Sequence, residues 1–288
     1  MNLIEMKECA DEVLRLFLQT MPDVPFGEDD IVFEFVRNAD IAKRAIELCQ
    51  KYCPENKLSD SQLRDLSENV FANALIGREK SAILILIDTK IRKMDFRVIV
   101  FHELMHVMCS KAEIDGEHFI DIYGTGTPFD TENTTYNGFV VSGYTIWSEF
   151  IAQYYALKMM WKAVYRFSDV AEYVFKLFRD VTITEIINRR GSFSMLCAHW
   201  LNCVDAKETL SQLRDPDFFV SDPKTHAAEF KSALYTSLST LYTQLQKEKP
   251  WKINEEFVCT IGTQFAYLTI RNSQLLGTDL EKMFLETQ

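Results

Sequence analysis

Apolar residues recur at three- and four-residue spacing from the first residues to about Thr20, the period of a helix with one buried face. The stretch MPDVPFGEDD, with two Pro and a Gly, breaks that period. Ile31-Val32-Phe33-Glu34-Phe35-Val36 then predicts a short strand, because β-branched and aromatic residues dominate it. Helical spacing returns from Ala39 to Tyr52 with Asn38 as N-cap, and a second helical stretch is expected from Ser59 to about Ile76. Ala82-Ile83-Leu84-Ile85-Leu86-Ile87, closed by Asp88, is a continuous β-rich run that reads as a buried strand. Asp95 to Ser110 holds neither Gly nor Pro and reads as a helix. The order helix, strand, two helices, strand, helix predicts a small α+β unit.

Beyond Met160 the pattern is almost wholly helical. Helices are expected over about Ser168 to Asn188, Ser194 to Val204, Ala206 to Leu213, Thr225 to Lys247 and Asn254 to Leu275. The links at Asp215-Pro216 to Pro223 and at Pro250-Trp251 read as connectors. The fold class is therefore α+β and mostly helical, with one unit over residues 1–165 and a helical subdomain over 166–288.

Composition narrows the function classes. A 288-residue chain with 47% hydrophobic and 25% charged residues has ample material for a core. Its net charge of −11, from 31 basic and 42 acidic side chains, argues against a nucleic-acid or anionic-membrane surface. The first residues mix acids into an amphipathic helix and lack a signal-peptide layout, and no run is apolar for long enough to span a bilayer. Seven scattered cysteines, an odd number, fit reduced thiols and a cytoplasmic location; Cys49 and Cys53 read as packing or helix-end residues. His226, on a polar stretch, is expected to be exposed.

Chemistry concentrates in His102-Glu103-Leu104-Met105-His106. Residues four apart share a helix face, so both imidazoles can converge on one Zn²⁺, while Glu103 leans beside the metal as general base for a bound water. Phe101, Leu104, Met105, Val107 and Met108 supply packing around the motif. The rival reading is a core helix whose histidines are merely hydrogen-bonded.

A catalytic zinc site normally takes three protein ligands and leaves the fourth position to water. The extension that supplies a third His in one class fails here, because Cys109 and Ala112 stand three and six residues beyond His106. Glu149 is the better candidate. It lies on a helical segment from about Thr145 onward and shares a face with Ala152, Gln153 and Ala156. A carboxylate on that otherwise apolar face needs a partner, which a metal would provide, as would a Lys or Arg at a helix end. Gln153, one turn on, is placed to hydrogen-bond a metal-bound imidazole. His118, Asp121 and Asp130 are rival third ligands.

FHELMH at 101–106 and WSEFIAQYYA at 147–156 resemble the gluzincin zinc metallopeptidases, in which two His of H-E-x-x-H and a Glu from a later helix bind the metal. The approach ILILID at 83–88 followed by DFRVIVFHELMHVM at 95–108 also resembles the ImmA/IrrE-type cytoplasmic peptidases. The pattern departs from the family in the long gap between His106 and Glu149, and in Ser148-Glu149 with Gln153 where many gluzincins carry Asn-Glu with Asp. The resemblance implies a zincin-like unit with a short sheet packed on the motif helix, a helical subdomain closing one wall of the cleft, and a strand whose edge pairs with an extended peptide. Residues 82–88 are the candidate for that edge, with an interior strand as the alternative.

Half of the ten glycines (Gly116, Gly124, Gly126, Gly138, Gly143) fall between the two ligand segments with Pro128 and the polar run Thr131 to Asn137. They predict a long turn-rich loop, either over the cleft mouth or a plain connector. GTGTP at 124–128 lacks the features of a phosphate loop. Tyr144 and His199 are candidates by type for stabilising the oxyanion, with Tyr123 and Tyr136 also available. The expected function is hydrolysis of a peptide or protein substrate by a zinc-bound water with Glu103 as base. The competing expectation is a non-catalytic regulatory or binding protein with a metal-stabilised fold.

Overall fold

The computed structural model describes residues 1–37, 40–52, 72–75, 83–111, 134–160, 190–203, 227–254 and 256–265. The chain forms two compact units, one of Met1–Asp115 with Tyr155–Lys162, the other of Gly116–Tyr154 with Ala163–Gln288.

In the first unit, α1 (Leu3–Thr20) starts at a capping box. Asn2 Oδ1 accepts from the Glu5 amide at 2.9 Å, and Glu5 Oε2 accepts from the Asn2 amide at 3.0 Å. Two amides left over at a helix start are thereby satisfied. The buried face is Met6, Ala10, Val13, Leu14 and Phe17, at the helical spacing expected of it. The chain then passes Asp23, held at φ 53°, and a single 3-10 turn at Glu28–Asp30 into β1 (Ile31–Val36). α2 (Ile41–Tyr52) follows, then β2 (Ala72–Leu75) and β3 (Ile83–Asp88).

The sheet order is β1-β3-β2. β1 runs parallel to β3, with Ile31 opposite Ile83 and Val36 opposite Asp88; β2 runs antiparallel, with Ala72 opposite Ile87 and Leu75 opposite Leu84. All six residues of β3 are buried, as its unbroken apolar run predicts for a strand covered on both faces. Leu84 and Leu86 join Val36 and the α2 residues Ile41, Ala45, Leu48 and Cys49 in one cluster. On the opposite face the Phe35 ring stacks on Phe96 at 6.3 Å. Phe96 belongs to α3 (Lys93–Lys111), which reaches α1 through Phe101, whose ring lies 4.8 Å from that of Phe17. Burying Phe17, Phe96 and Phe101, each fully enclosed, stabilises the unit by roughly 1.5–3 kcal/mol apiece.

Two expectations are corrected here. Residues 72–75 end no helix but form a strand. Ala-Asn-Ala-Leu has little strand preference of its own, and pairing with β3 overrides its local tendency. The rest of the expected helix, 59–71, lies outside the described residues. β3 is not an edge available to a substrate, because β1 and β2 occupy both of its sides.

In the second unit, most of α4 (Thr134–Met160) accompanies α5 (Arg190–Cys203), α6 (Ala227–Leu245) and α7 (256–265). Asn254 caps α7 by accepting from the Phe257 amide at 3.0 Å. Gln244, 1% exposed, donates to the carbonyls of Pro250 and Lys252 at 2.8 Å each, which fixes the turn at the Pro250 break. Phe193 of α5 and Phe265 of α7 meet at 5.3 Å, and Leu238, Leu241, Val258 and Ile261 are fully buried.

α4 corrects a third expectation. It begins at Thr134, so Gly138 and Gly143 are helical and the turn-rich loop ends before them. A Cβ at Gly143 would overlap the Val258 carbonyl oxygen and meet the carbonyl carbon at 2.7 Å. That glycine lets two helix backbones approach closely. Residues 112–133, with the other loop glycines, and the predicted helices at 168–188 and 206–213 lie outside the described residues, as do Asn38, Cys53 and His226. Among the described residues no helix is long and apolar enough to cross a membrane, and Cys9, Cys49, Cys109, Cys197 and Cys259 form no disulfide.

Candidate metal centre

The turn that leads into α3 is set by Asp88. Its Oδ1 accepts from the Lys90 amide at 2.9 Å and its carbonyl from the Ile91 amide at 3.3 Å, so only residues 89–92 separate β3 from the motif helix. Arg92 Nε meets Asp95 Oδ2 at 2.6 Å at the start of the helix. From there α3 is packed nearly all round: Phe96, Val100, Phe101, Leu104, Met105, Val107 and Met108 are buried. A partly exposed stripe remains, through Asp95, Val98, Ile99, His102, His106 and Ser110. Both histidines therefore occupy the side of the helix that a ligand can reach.

Their Nε2 atoms are 3.0 Å apart, with ring centroids at 4.7 Å and planes inclined at 75°. This convergence needs only an unbroken helix, since residues i and i+4 are neighbours on its surface. Two neutral imidazoles at that distance share one proton, Nε2–H of one donating to the other, or they share a cation. Two nitrogens bound at about 2.0–2.1 Å to one tetrahedral ion stand about 3.4 Å apart, so a small ring adjustment accommodates a metal.

Glu149 of α4 completes the group. One ligand atom from each of His102, His106 and Glu149 lies within 4.8 Å of the others, and all three side chains are half-buried. The donor set is two imidazole nitrogens and one carboxylate oxygen, which suits a divalent transition metal. Ala152 and Ala156 on the Glu149 helix are fully buried, and Gln153 is 6% exposed, so the face inferred from small residues is packed. The cluster is a two-histidine, one-carboxylate group able to hold a metal ion.

Glu103 follows His102 on α3 and is 8% exposed. Burial of a carboxylate at this depth is costly unless a proton, a hydrogen bond or a cation compensates it. Tyr144 is on α4, half-buried, with its ring 6.0 Å from Trp147. At 100° per residue it points about 140° round the helix from Glu149. His199 is on α5, and burial pushes its pKa down, which favours the neutral imidazole. It is not a member of the ligand group. The rival ligands His118, Asp121 and Asp130, and Tyr123, lie outside the described residues, as does the side chain of Tyr136.

Two contacts of the Glu149 helix were not foreseen from the sequence: Gly143, read there as a loop glycine, packs against Val258, and Asn202 donates to the Tyr154 carbonyl. The first carried a signal, a glycine at the edge of an apolar helical pattern, which can mark close packing as well as a turn. The second carried none. Comparison of the chain with protein-family models, with curated proteins and with solved structures gave no match.

Proposed function

We propose that the protein is a zinc-dependent metallopeptidase of the gluzincin type, acting in the cytoplasm on a peptide or protein substrate. The observation that carries this reading is the grouping of His102, His106 and Glu149 within 4.8 Å, with Glu103 next to His102 in the chain. Zinc, when bound, would supply Lewis acidity to polarise a carbonyl and acidify a water to a pKa near 7.

The chain's own residues have separable tasks. His102 and His106 present unprotonated Nε2 atoms, which leaves Nδ1–H of each ring as a donor to its surroundings. Glu149 adds one negative charge and so offsets part of the ion's charge. Glu103 receives the proton of the attacking water on a carboxylate oxygen and passes it to the leaving amine, a role worth about 10²–10⁴-fold in rate. Tyr144 and His199 are the proposed donors to the oxyanion, and neutrality of His199 would leave it one N–H to give.

A purely structural zinc site would usually fill the fourth position with another protein ligand and would have no use for Glu103. The test is therefore metal analysis of the purified chain together with hydrolysis assays on a peptide library. Wild type is expected to hold one zinc per chain. Glu103→Gln should keep that zinc and lose hydrolysis by at least about a hundredfold. Full activity in Glu103→Gln would refute the catalytic role, and a zinc-loaded wild type without any hydrolysis would favour a metal-stabilised regulatory or binding protein.

A further inference from the structure

Among the described residues, two backbone contacts bracket Glu149 on the helix that carries it, one on each side. Six residues before it, Gly143 packs against the backbone of α7 with no room for a Cβ; the nearest side-chain atom, Val258 Cγ1, would stand at 2.9 Å. Five residues after it, the Tyr154 carbonyl accepts from Asn202 Nδ2 of α5 at 2.9 Å. The same nitrogen donates to the Ala198 carbonyl, one turn back on its own helix, at 3.1 Å. At 1.5 Å of rise per residue the two contacts lie about 9 Å before and about 7.5 Å after the ligand.

We infer that Asn202 and Gly143 are positioning residues for the Glu149 carboxylate, which they fix by setting the rotation of α4. The inference rests on the metal-centre reading. A carboxylate at the end of a helical Glu stands about 6 Å from the helix axis, so a 20° rotation of α4 moves it by about 2 Å. A metal site tolerates about 0.5 Å. Asn suits the task because its amide carries two hydrogens on one nitrogen, enough to serve both carbonyls, and a helical carbonyl keeps a second lone pair after its own i+4 bond. Groups bonded directly to a metal ligand cost typically 10–100-fold in metal affinity when removed; Asn202 acts one step further away, through the backbone of α4, so the low end of that range is expected.

The experiment is a double-mutant cycle on zinc affinity, measured by chelator competition with the full chain. Asn202→Leu keeps the volume and removes both donors; Asn202→Ala serves as the second variant should the first not fold. Either is expected to weaken zinc about tenfold in the wild-type background and to leave it unchanged in a Glu149→Ala background, where the carboxylate is absent. Wild-type affinity in Asn202→Leu, or the same loss in both backgrounds, overturns the positioning role, since a general structural effect would not depend on Glu149. A wild-type chain that binds no zinc would instead remove the metal-centre reading itself.

Discussion

The two helices that supply the candidate ligands are built on opposite plans. On α3 the ligand pair is a local property: His102 and His106 come within 3.0 Å because they are four residues apart on one helix. On α4 the ligand is a single Glu whose direction depends on contacts from chain segments far away in sequence, Val258 and Asn202. Local geometry survives loss of packing as long as the helix survives. Geometry set from a distance does not. Stability and metal affinity should therefore respond differently to substitutions in the two helices.

The largest stability effect is expected in α3. Phe101 is fully buried against Phe17, and Phe101→Ala should lower unfolding stability by about 3–5 kcal/mol, measured by urea denaturation. Because the histidine pair is local, the folded fraction of that variant should still bind zinc within a few-fold of wild type. A strong loss of affinity in Phe101→Ala, at a urea concentration where the chain is folded, would erase the contrast between the helices.

That contrast also explains what the sequence revealed. Helical period located α1 and α2, residue type located β1 and β3, an unbroken stretch without Gly or Pro located α3, and a five-residue motif located two candidate ligands, because in each case neighbouring residues determine the geometry. Glu149 was legible for a different reason: a carboxylate on an otherwise apolar helical face has to be compensated, and few partners can do so. β2 was hidden because Ala72 to Leu75 become a strand only through pairing with β3. The early start of α4 was hidden because Gly143 looks like a turn residue until Val258 is placed beside it. Asn202 is one polar residue in a helix, and only the position of the Tyr154 carbonyl gives it a meaning.

Gly143→Ala should invert the pattern of Phe101→Ala. In an exposed helix the change would be favourable by about 1 kcal/mol, since Gly is a poor helix former. Here the new methyl meets the Val258 backbone, which cannot rotate aside, so overpacking is expected to leave a net loss of about 1–3 kcal/mol. The loss is smaller than for Phe101→Ala, while the fall in zinc affinity should be larger. Measuring both quantities for both variants decides the matter: equal ratios of affinity loss to stability loss would show that the two helices do not differ in kind.

The smallest expected effect concerns pH and again separates local from global consequences. Cys109 lies three residues beyond His106 on the same face of α3 but is covered there, and burial pushes its thiol up to about 12 from an ordinary value of 9.0. The folded state thus disfavours the thiolate. A raised folded pKa contributes stability that is fully present below pH 9 and is lost as pH climbs from 9 towards 12, because the unfolded chain releases the proton first. At pH 9, where half of the unfolded thiols are ionised, the loss is only about 0.4 kcal/mol. It should appear as a difference between wild type and Cys109→Ala in urea midpoints collected from pH 7 to 10, flat at the neutral end and steepening above 9. A difference that stays constant over that range would mean that the thiol is not excluded from water, and that the open face bearing His102 and His106 extends as far as Cys109.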